Sequence, residues 1–477
     1  MLLERFHDEK LAQTSWLVGC QATGEAIVID PNRDIAQYLD VVAREGLEIQ
    51  HVAETHIHAD FVSGVRELAA KTGATMYLSD EGGEDWRYGY LDDGRSVRLR
   101  DGDVFMVGNI RFEVWHTPGH TPEHVTFVLT DTAGADEPMG AFTGDFLFVG
   151  DVGRPDLLEK AAGITGTMEN AARQLYASIR RFRELPDWLL IWPGHGAGSA
   201  CGKALGAIPQ SSLGYEKRFN WAFRVDGEEA FVRAVLEGQP EPPRYFAEMK
   251  RVNRIGPRVL GGLPNPARVD DARILEVMDS GGFVVDARRA PEFARAHVPG
   301  TFNIPLNRSF TTWAGNVVPY DRPYHLLVDG ESAPEAVAEA VRDLTMIGLD
   351  ALAGWCGAGA VNAWAGAGRT LGTVESASIE DVEAALESDT AEVLDVRARS
   401  EWDAGHLPGA RNIPLPTLLA RLDDIPPDRR VVLQCQTGNR SVIAASLLRA
   451  RGFENIANYP GGFAEWSRSG RPVERKG

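Results

Sequence analysis

The chain has 477 residues, more than the roughly 250 to 300 at which a single hydrophobic core stops growing, so several domains are expected. An apolar fraction of 44% with 25% charged residues is that of a folded, water-soluble protein and excludes a disordered or fibrous chain. The formal net charge of -19 excludes nucleic acid and anionic membrane surfaces as general partners, because the overall field repels phosphate.

Met1 to Trp16 carry no basic region followed by an apolar run. No later stretch approaches the ~18 uninterrupted apolar residues of a membrane span, and a cytoplasmic protein is expected. From Thr14 to about residue 250, short β-branched runs alternate with helical patterns. Strands are predicted over Ser15–Cys20, Glu25–Asp30, Ile49–His56, Ala74–Asp80, Ile110–Thr117, His124–Thr130 and Trp188–His195. Helices are predicted over Ile35–Gly46 and Ala171–Leu185, and the alternation implies a layered α/β architecture.

Ile255 to Asp271 is dense in Gly and Pro without apolar periodicity, which marks a domain boundary. Beyond it the chain repeats itself: the segments from Val284 and from Val393 align without gaps at an offset of 109 residues. Each copy reads as strand, charged loop with a His-hydrophobe-Pro-Gly turn, second strand and a helix-rich remainder, a small parallel-sheet α/β domain. The expected domains are 1–255, 256–368 and 369–477, with the join between copies near Gly366 to Ser378. The cysteines, Cys20, Cys201, Cys356 and Cys435, lie far apart and form no CxxC pair, as expected of reduced thiols.

The first domain carries His56, His58 and Asp60 within five residues at a strand end, followed by His120, Asp145 and His195, each after a strand-like run. Loops at strand ends are where a rigid sheet displays ligands. One such histidine alone reads as a hydrogen-bonded structural residue; the ordered set reads as a metal site. The order HxHxD, His, Asp, His resembles the metallo-β-lactamase superfamily over roughly residues 10 to 250. That resemblance implies an αββα sandwich with the metal at one edge. Dinuclear hydrolases of the superfamily read HxHxDH, and here the last position is Phe61.

Within the superfamily the chain is most similar to the persulfide dioxygenases. The resemblance implies one Fe(II) per chain held by His56, His120 and Asp145, with His58, Asp60 and His195 orienting the ligands. Two imidazoles and one carboxylate leave open positions, the donor set that favours non-haem Fe(II) over closed tetrahedral zinc. The stretch from His195 through Cys201 and Lys203 to Tyr215 and Lys217 is similar to dioxygenases fused to rhodaneses. Arg154, Cys201, Lys203, Tyr215 and Lys217 are therefore expected near an anionic thiol cosubstrate, Cys201 as a persulfide carrier; solvated surface charge is the plain reading of the basic residues.

In the last domain Cys435-Gln-Thr-Gly-Asn-Arg440-Ser441 lies between an apolar strand and a helical run. Converging backbone N–H groups and the positive end of a helix there favour a thiolate, and Arg440 adds a cation. With Asp395, Arg397, Glu401, His406 and the Gly461-Gly-Phe-Ala-Glu-Trp466 segment, this loop resembles the rhodanese family over residues 375 to 472. Four residues separate Cys435 from Arg440, one fewer than in the Cys-x5-Arg loop of phosphatases. In the first copy the corresponding strand runs into Asp329-Gly330-Glu331-Ser332, so a carboxylate stands where the thiol belongs.

Together the resemblances imply oxidation of a low-molecular-weight thiol persulfide by O2 to sulfite and thiol, coupled to sulfur transfer involving thiosulfate or sulfite. A homo-oligomer is expected. A zinc thioester hydrolase of the glyoxalase II kind with an appended sulfurtransferase, and a metal-domain scaffold with only Cys435 active, remain the alternatives.

Overall fold

The computed structural model describes residues 1–91, 94–157, 159, 166–203, 205–239, 241–329, 333–388 and 390–476. The chain divides into two compact units, one comprising Met1–Pro264 and Thr345–Gly348, the other Asn265–Leu344 and Leu349–Gly477.

The first unit holds two six-stranded sheets. One runs β1 (Leu2–Asp8), β2 (Gln13–Cys20), β3 (Glu25–Ile29), β4 (Glu48–Ala53), β5 (Thr75–Ser79), β6 (Ser96–Leu99) in spatial order, antiparallel through β3 and parallel from there. The other contains β7 (Val104–Val107), β8 (Ile110–His116), β9 (Val125–Asp131), β10 (Gly140–Gly144), β11 (Leu190–Pro193) and β12 (Ser211–Ser212); only its β10–β11 pair is parallel. Trp16, Val18, Ile27 and Ile29 of the first sheet meet Phe112, Val114, Phe127, Phe142 and Trp192 of the second in one core. Alternation along β8 sends Ile110, Phe112 and Val114 inward, as a period of two requires.

Helices close both outer faces. Tyr38, Val41 and Val42 from Ala36–Glu45, with Val65, Leu68 and Ala69 from Val65–Thr72, pack on the first sheet. On the second, Ala172, Leu175, Ile179 and Phe182 of Met168–Phe182 recur at helical spacing and form one apolar stripe. The result is the metallo-β-lactamase fold, a helix–sheet–sheet–helix sandwich.

The second unit contains two parallel sheets built from the two copies of the repeat. The first has the order β14 (Phe302–Asn303), β13 (Phe283–Asp286), β15 (Tyr324–Val328), β16 (Leu352–Gly357). The second has the order β17 (Glu375–Ser376), β21 (Ile456–Asn458), β20 (Arg430–Gln434), β18 (Ala391–Asp395), β19 (Arg411–Asn412). The Gly- and Pro-rich stretch ahead of this unit has no regular element between the helices Phe246–Ile255 and Arg273–Asp279, apart from an isolated bridge at Arg268. No helix among the described residues is long and apolar enough to cross a membrane.

Candidate metal centre and cysteine loop

The strand ends of the sandwich gather one cluster. His56 and His58 follow β4, His120 lies in the β8–β9 connection, Asp145 follows β10 and His195 follows β11. Ligand atoms of His56, His120 and Asp145 lie within 4.8 Å of one another, and all three side chains are buried.

The hydrogen bonds of these residues dictate which atoms face inward. Thr55 Oγ1 donates to Asp30 Oδ2 (2.8 Å), so at 3.0 Å it accepts from His56 Nδ1, and the His56 Nε2 lone pair is left for a ligand. His120 Nδ1 donates to the Arg154 carbonyl (3.2 Å), which frees its Nε2 in the same way. Those two Nε2 atoms lie 3.9 and 3.5 Å from Asp145 Oδ2, a fully buried oxygen without a hydrogen-bond partner among the described residues. Two imidazole lone pairs and an orphaned carboxylate oxygen repel one another unless a cation lies among them. Burial, followed by the surrounding imidazoles, holds His56 well below the usual histidine range, and burial lowers His120. Both therefore present the neutral form that a metal requires.

His195 is placed differently. Its Nδ1 donates to Asp145 Oδ1 (2.6 Å) and its Nε2 to Asp60 Oδ2 (2.7 Å). Burial opposes charge on this ring, yet the two carboxylates outweigh it and hold the imidazolium well above the ordinary range. The same pairing carries Asp145 below the usual carboxylate range against its own burial. With both nitrogens protonated, His195 offers no lone pair while these bonds stand. His58 donates to Asp30 Oδ1 (3.1 Å), and against its burial Asp30 lifts it to about 9. Its ring packs on Phe61 at 4.5 Å between centroids, so an apolar ring occupies the position after Asp60.

Several functional neighbours escape sequence reasoning. His124 accepts from the Asp145 backbone N–H at Nε2 (3.1 Å) and donates from Nδ1 to Thr117 Oγ1 (2.9 Å), fixing the loop that carries Asp145. Asp30, in a left-handed conformation at φ 51, receives Thr55 N and Oγ1 as well as His58. Only its place after a strand, next to a Pro-Asn turn, could have singled it out. Cys201 lies with Asp60 and His195 in a second group whose ligand atoms fall within 4.8 Å. Burial and then the nearby carboxylates push this thiol well above its ordinary range, so it is protonated.

Of the other residues expected at the site, Arg154 is buried, with its guanidinium on Asp156 (2.9 and 2.7 Å) and on the Ala200 carbonyl (3.0 Å). Its backbone is what touches the cluster, through His120. The Lys203 ammonium bonds the Glu237 carbonyl, and Lys217 bonds the Leu185 carbonyl and Asp187. Tyr215 is exposed and packs on Phe219.

In the second unit Cys435 directly follows β20, and the helix Asn439–Arg449 begins four residues later. Its thiol is buried and receives Ser441 Oγ at 3.4 Å. Arg440 forms a fork-to-fork pair with Glu401 (2.6 and 2.7 Å); burial disfavours its charge, but Glu401 keeps the guanidinium firmly protonated. The Gly461-Gly-Phe segment latches the loop, with Phe463 N donating to the Cys435 carbonyl (2.8 Å) and Ala464 N to that of Gln436 (3.1 Å). Gly462, at φ +56, permits this approach, because a Cβ there would stand 2.3 Å from the Cys435 carbonyl oxygen. Strand register puts Val328, rather than the carboxylate expected from the sequence, at the position of Cys435 in the first copy: Leu327 pairs with Asp286 as Gln434 pairs with Asp395, and Asp329 comes one residue later; Gly330, Glu331 and Ser332 lie outside the described residues. All four cysteines are free and buried.

A family profile described as the metallo-beta-lactamase superfamily matches residues 9–195. The crystal structure of a metallo-beta-lactamase from Staphylococcus aureus subsp. aureus COL is 41% identical, with a TM-score of 0.66, and the match covers 75% of this chain and 99% of that one. The chain belongs to the metallo-β-lactamase superfamily. A second profile, the rhodanese-like domain, matches residues 378–469, so this superfamily member also carries a rhodanese-like domain. Among curated relatives, the mitochondrial persulfide dioxygenase ETHE1 of Bos taurus is 30% identical over 200 residues, 41% of this chain and 68% of that protein. The hydroxyacylglutathione hydrolase of Methylobacterium nodulans is also 30% identical, over 44% of this chain and 72% of its own length. The chain spans 61% of the length of other curated relatives that it matches.

Proposed function

We infer that this protein is a bifunctional sulfur enzyme, an iron-dependent persulfide dioxygenase joined to a Cys435 sulfurtransferase. The observation that carries the reading is the split of Asp145. Its Oδ2 faces two free imidazole Nε2 atoms, while its Oδ1 is held by a His195 already bonded at both nitrogens. This favours one metal over two, and Phe61 removes a further donor from a second site. His56, His120 and Asp145 would hold the ion, with His58, Asp60 and His195 fixing their orientation. Iron, when bound, supplies the oxygen-activating chemistry that closed zinc sites lack.

The overall reaction balances as RSSH + O2 + H2O giving RSH, sulfite and two protons. Within the chain, His195 neutralises Asp145 Oδ1 and Asp60 holds the other His195 proton, so the carboxylate oxygen facing the histidines keeps its charge. The protonated Cys201 thiol borders this cluster and is the residue we assign to contact the persulfide.

At the other centre the Cys435 thiolate attacks the sulfane sulfur of thiosulfate, the S–S bond breaks and sulfite leaves with the electron pair. A thiolate acceptor then takes the outer sulfur from the Cys435 persulfide, regenerating the Cys435 thiolate and releasing a persulfide. One chain thus raises the effective concentration of the shared intermediate, and domain bounds at 1–255, 256–368 and 369–477 complete the proposal.

The test is oxygen uptake by anaerobically purified protein given glutathione persulfide, with metal content measured on the same sample. Uptake with about one iron per chain is expected, and Asp145→Ala should abolish it while sparing thiosulfate sulfurtransfer. Zinc, thioester cleavage and no oxygen uptake would overturn the reading in favour of a hydrolase.

A further inference from the structure

The helix Asn439–Arg449, which follows the Cys435 loop, is buried from Ser441 through Leu448 and has no polar face in that span apart from Ser441 and Ser446. A helix apolar all round requires a layer on each side. Its own sheet supplies one. The first copy of the repeat supplies the other: Ala290 and Phe293 join Val442, Ile443 and Leu447 in a single core, with Phe302, Trp313 and Val317 packed against it. Asn303 N donates to Ser446 Oγ at 3.1 Å, both groups buried.

The same contact shapes the mouth of the thiol site. A cavity of about 310 Å³ is lined on one side by Cys435, Arg440 and Ile443, and on the other by Asn307, Ser309 and Trp313 of the first copy. We propose that the first copy, whose strand-end loop has no cysteine, is the acceptor-selecting half of the Cys435 site, with Trp313 and Asn307 seating an amide-bearing, low-molecular-weight thiol. This rests on the sulfurtransferase reading of Cys435. The floor is where the sulfur chemistry occurs and where the Arg440 cation lies. The wall carries no charged side chain at these positions: Trp313 offers an aromatic face, and Asn307, whose Oδ1 already accepts from Ser309 N (2.8 Å), has its amide N–H2 to give to a carbonyl. A bare anion uses the floor alone, whereas a peptide-like thiol spans both, and a cavity of this size suits a small ligand.

The test uses the full chain with thiosulfate as donor and either cyanide or glutathione as acceptor. Trp313→Ala should raise the KM for glutathione about tenfold and that for cyanide less than twofold, with Trp313→Phe restoring most of the loss. Asn307→Ala should act in the same selective direction. Equal changes for both acceptors, or none, would overturn the assignment. Labelling of Cys435 followed by mass spectrometry separates this from failure of the functional reading: Trp313→Ala should speed reaction with a bulky maleimide more than with iodoacetamide. If wild type transfers no sulfur, the sulfurtransferase reading fails and the labelling ratio alone decides the wall, an unchanged ratio removing it.

Discussion

In the first copy of the repeat Arg288 forks onto Asp286, and Asn303 donates to the carbonyls of Asp286 and Arg288; in the second, Arg397 forks onto Asp395, and Asn412 donates to the carbonyls of Asp395 and Arg397. His297 stacks on Phe293 and bonds its carbonyl, as His406 does with Trp402. What repeats along the chain is therefore framework, since these residues close turns and tie strands to loops. What differs is the strand end, where Val328 stands against Cys435 and is followed by Asp329, whose carboxyl the neighbouring Glu292 carboxyl and then burial raise. On the proposed reading, the skeleton alone does not make a sulfur-transfer site; the thiol, its arginine and the latched loop do.

The sharpest way to break this contrast is Cys435→Ser, which should lower thiosulfate sulfurtransfer by about a thousandfold or more while leaving oxygen uptake intact; Asp329→Ala should change sulfurtransfer less than about twofold. Parallel losses from the two substitutions, measured with thiosulfate and cyanide, would show that the first copy has chemistry of its own.

Gly462→Ala places a methyl against the Cys435 carbonyl and strains a left-handed backbone position. A loss of about 2 kcal/mol in stability and about 30-fold in sulfurtransfer is expected, read by thermal unfolding and kinetics together. Normal kinetics in a well-folded variant would mean that the latch does not position the thiol.

Arg440→Lys keeps the charge but not the fork onto Glu401, and should lower kcat/KM for thiosulfate about tenfold.

The smallest effect tests the framework. Burial lowers His297 to about 4 from an ordinary 6.5, so between those values the unfolded chain binds more protons and stability falls as pH falls. Between about pH 7 and about pH 5 the loss should be on the order of 1 kcal/mol, and His297→Gln should flatten that slope in thermal midpoints.

Much of this was legible before any coordinates. Short β-branched runs located β2, β3, β4, β5, β8, β9 and β11, and helical patterns located the helices Ala36–Glu45 and Met168–Phe182. β1 did not stand out because an edge strand carries charges such as Glu4 and Arg5 along its length. β10, Gly-Ala-Phe-Thr-Gly, has little β-propensity of its own; the Trp192 indole packs where a Cβ on Gly140 would stand, 2.4 Å from its nearest atom.

The sequence by itself determined the chemistry on offer: the order of His56, His58, Asp60, His120, Asp145 and His195, the Cys435 loop, and the absence of a thiol from the matching loop of the first copy. Only the tertiary structure decided how these donors divide their labour. Nothing in the spacing says that Asp145 gives one oxygen to His195 and turns the other towards His56 and His120. Nor does it say that His124 and Asp30 brace the cluster, or that Trp313 faces Cys435 across a cavity. Hydrogen-bond partners and cavity walls come from segments far apart in the chain, and their pairing is set by the packing of sheets and helices rather than by local pattern.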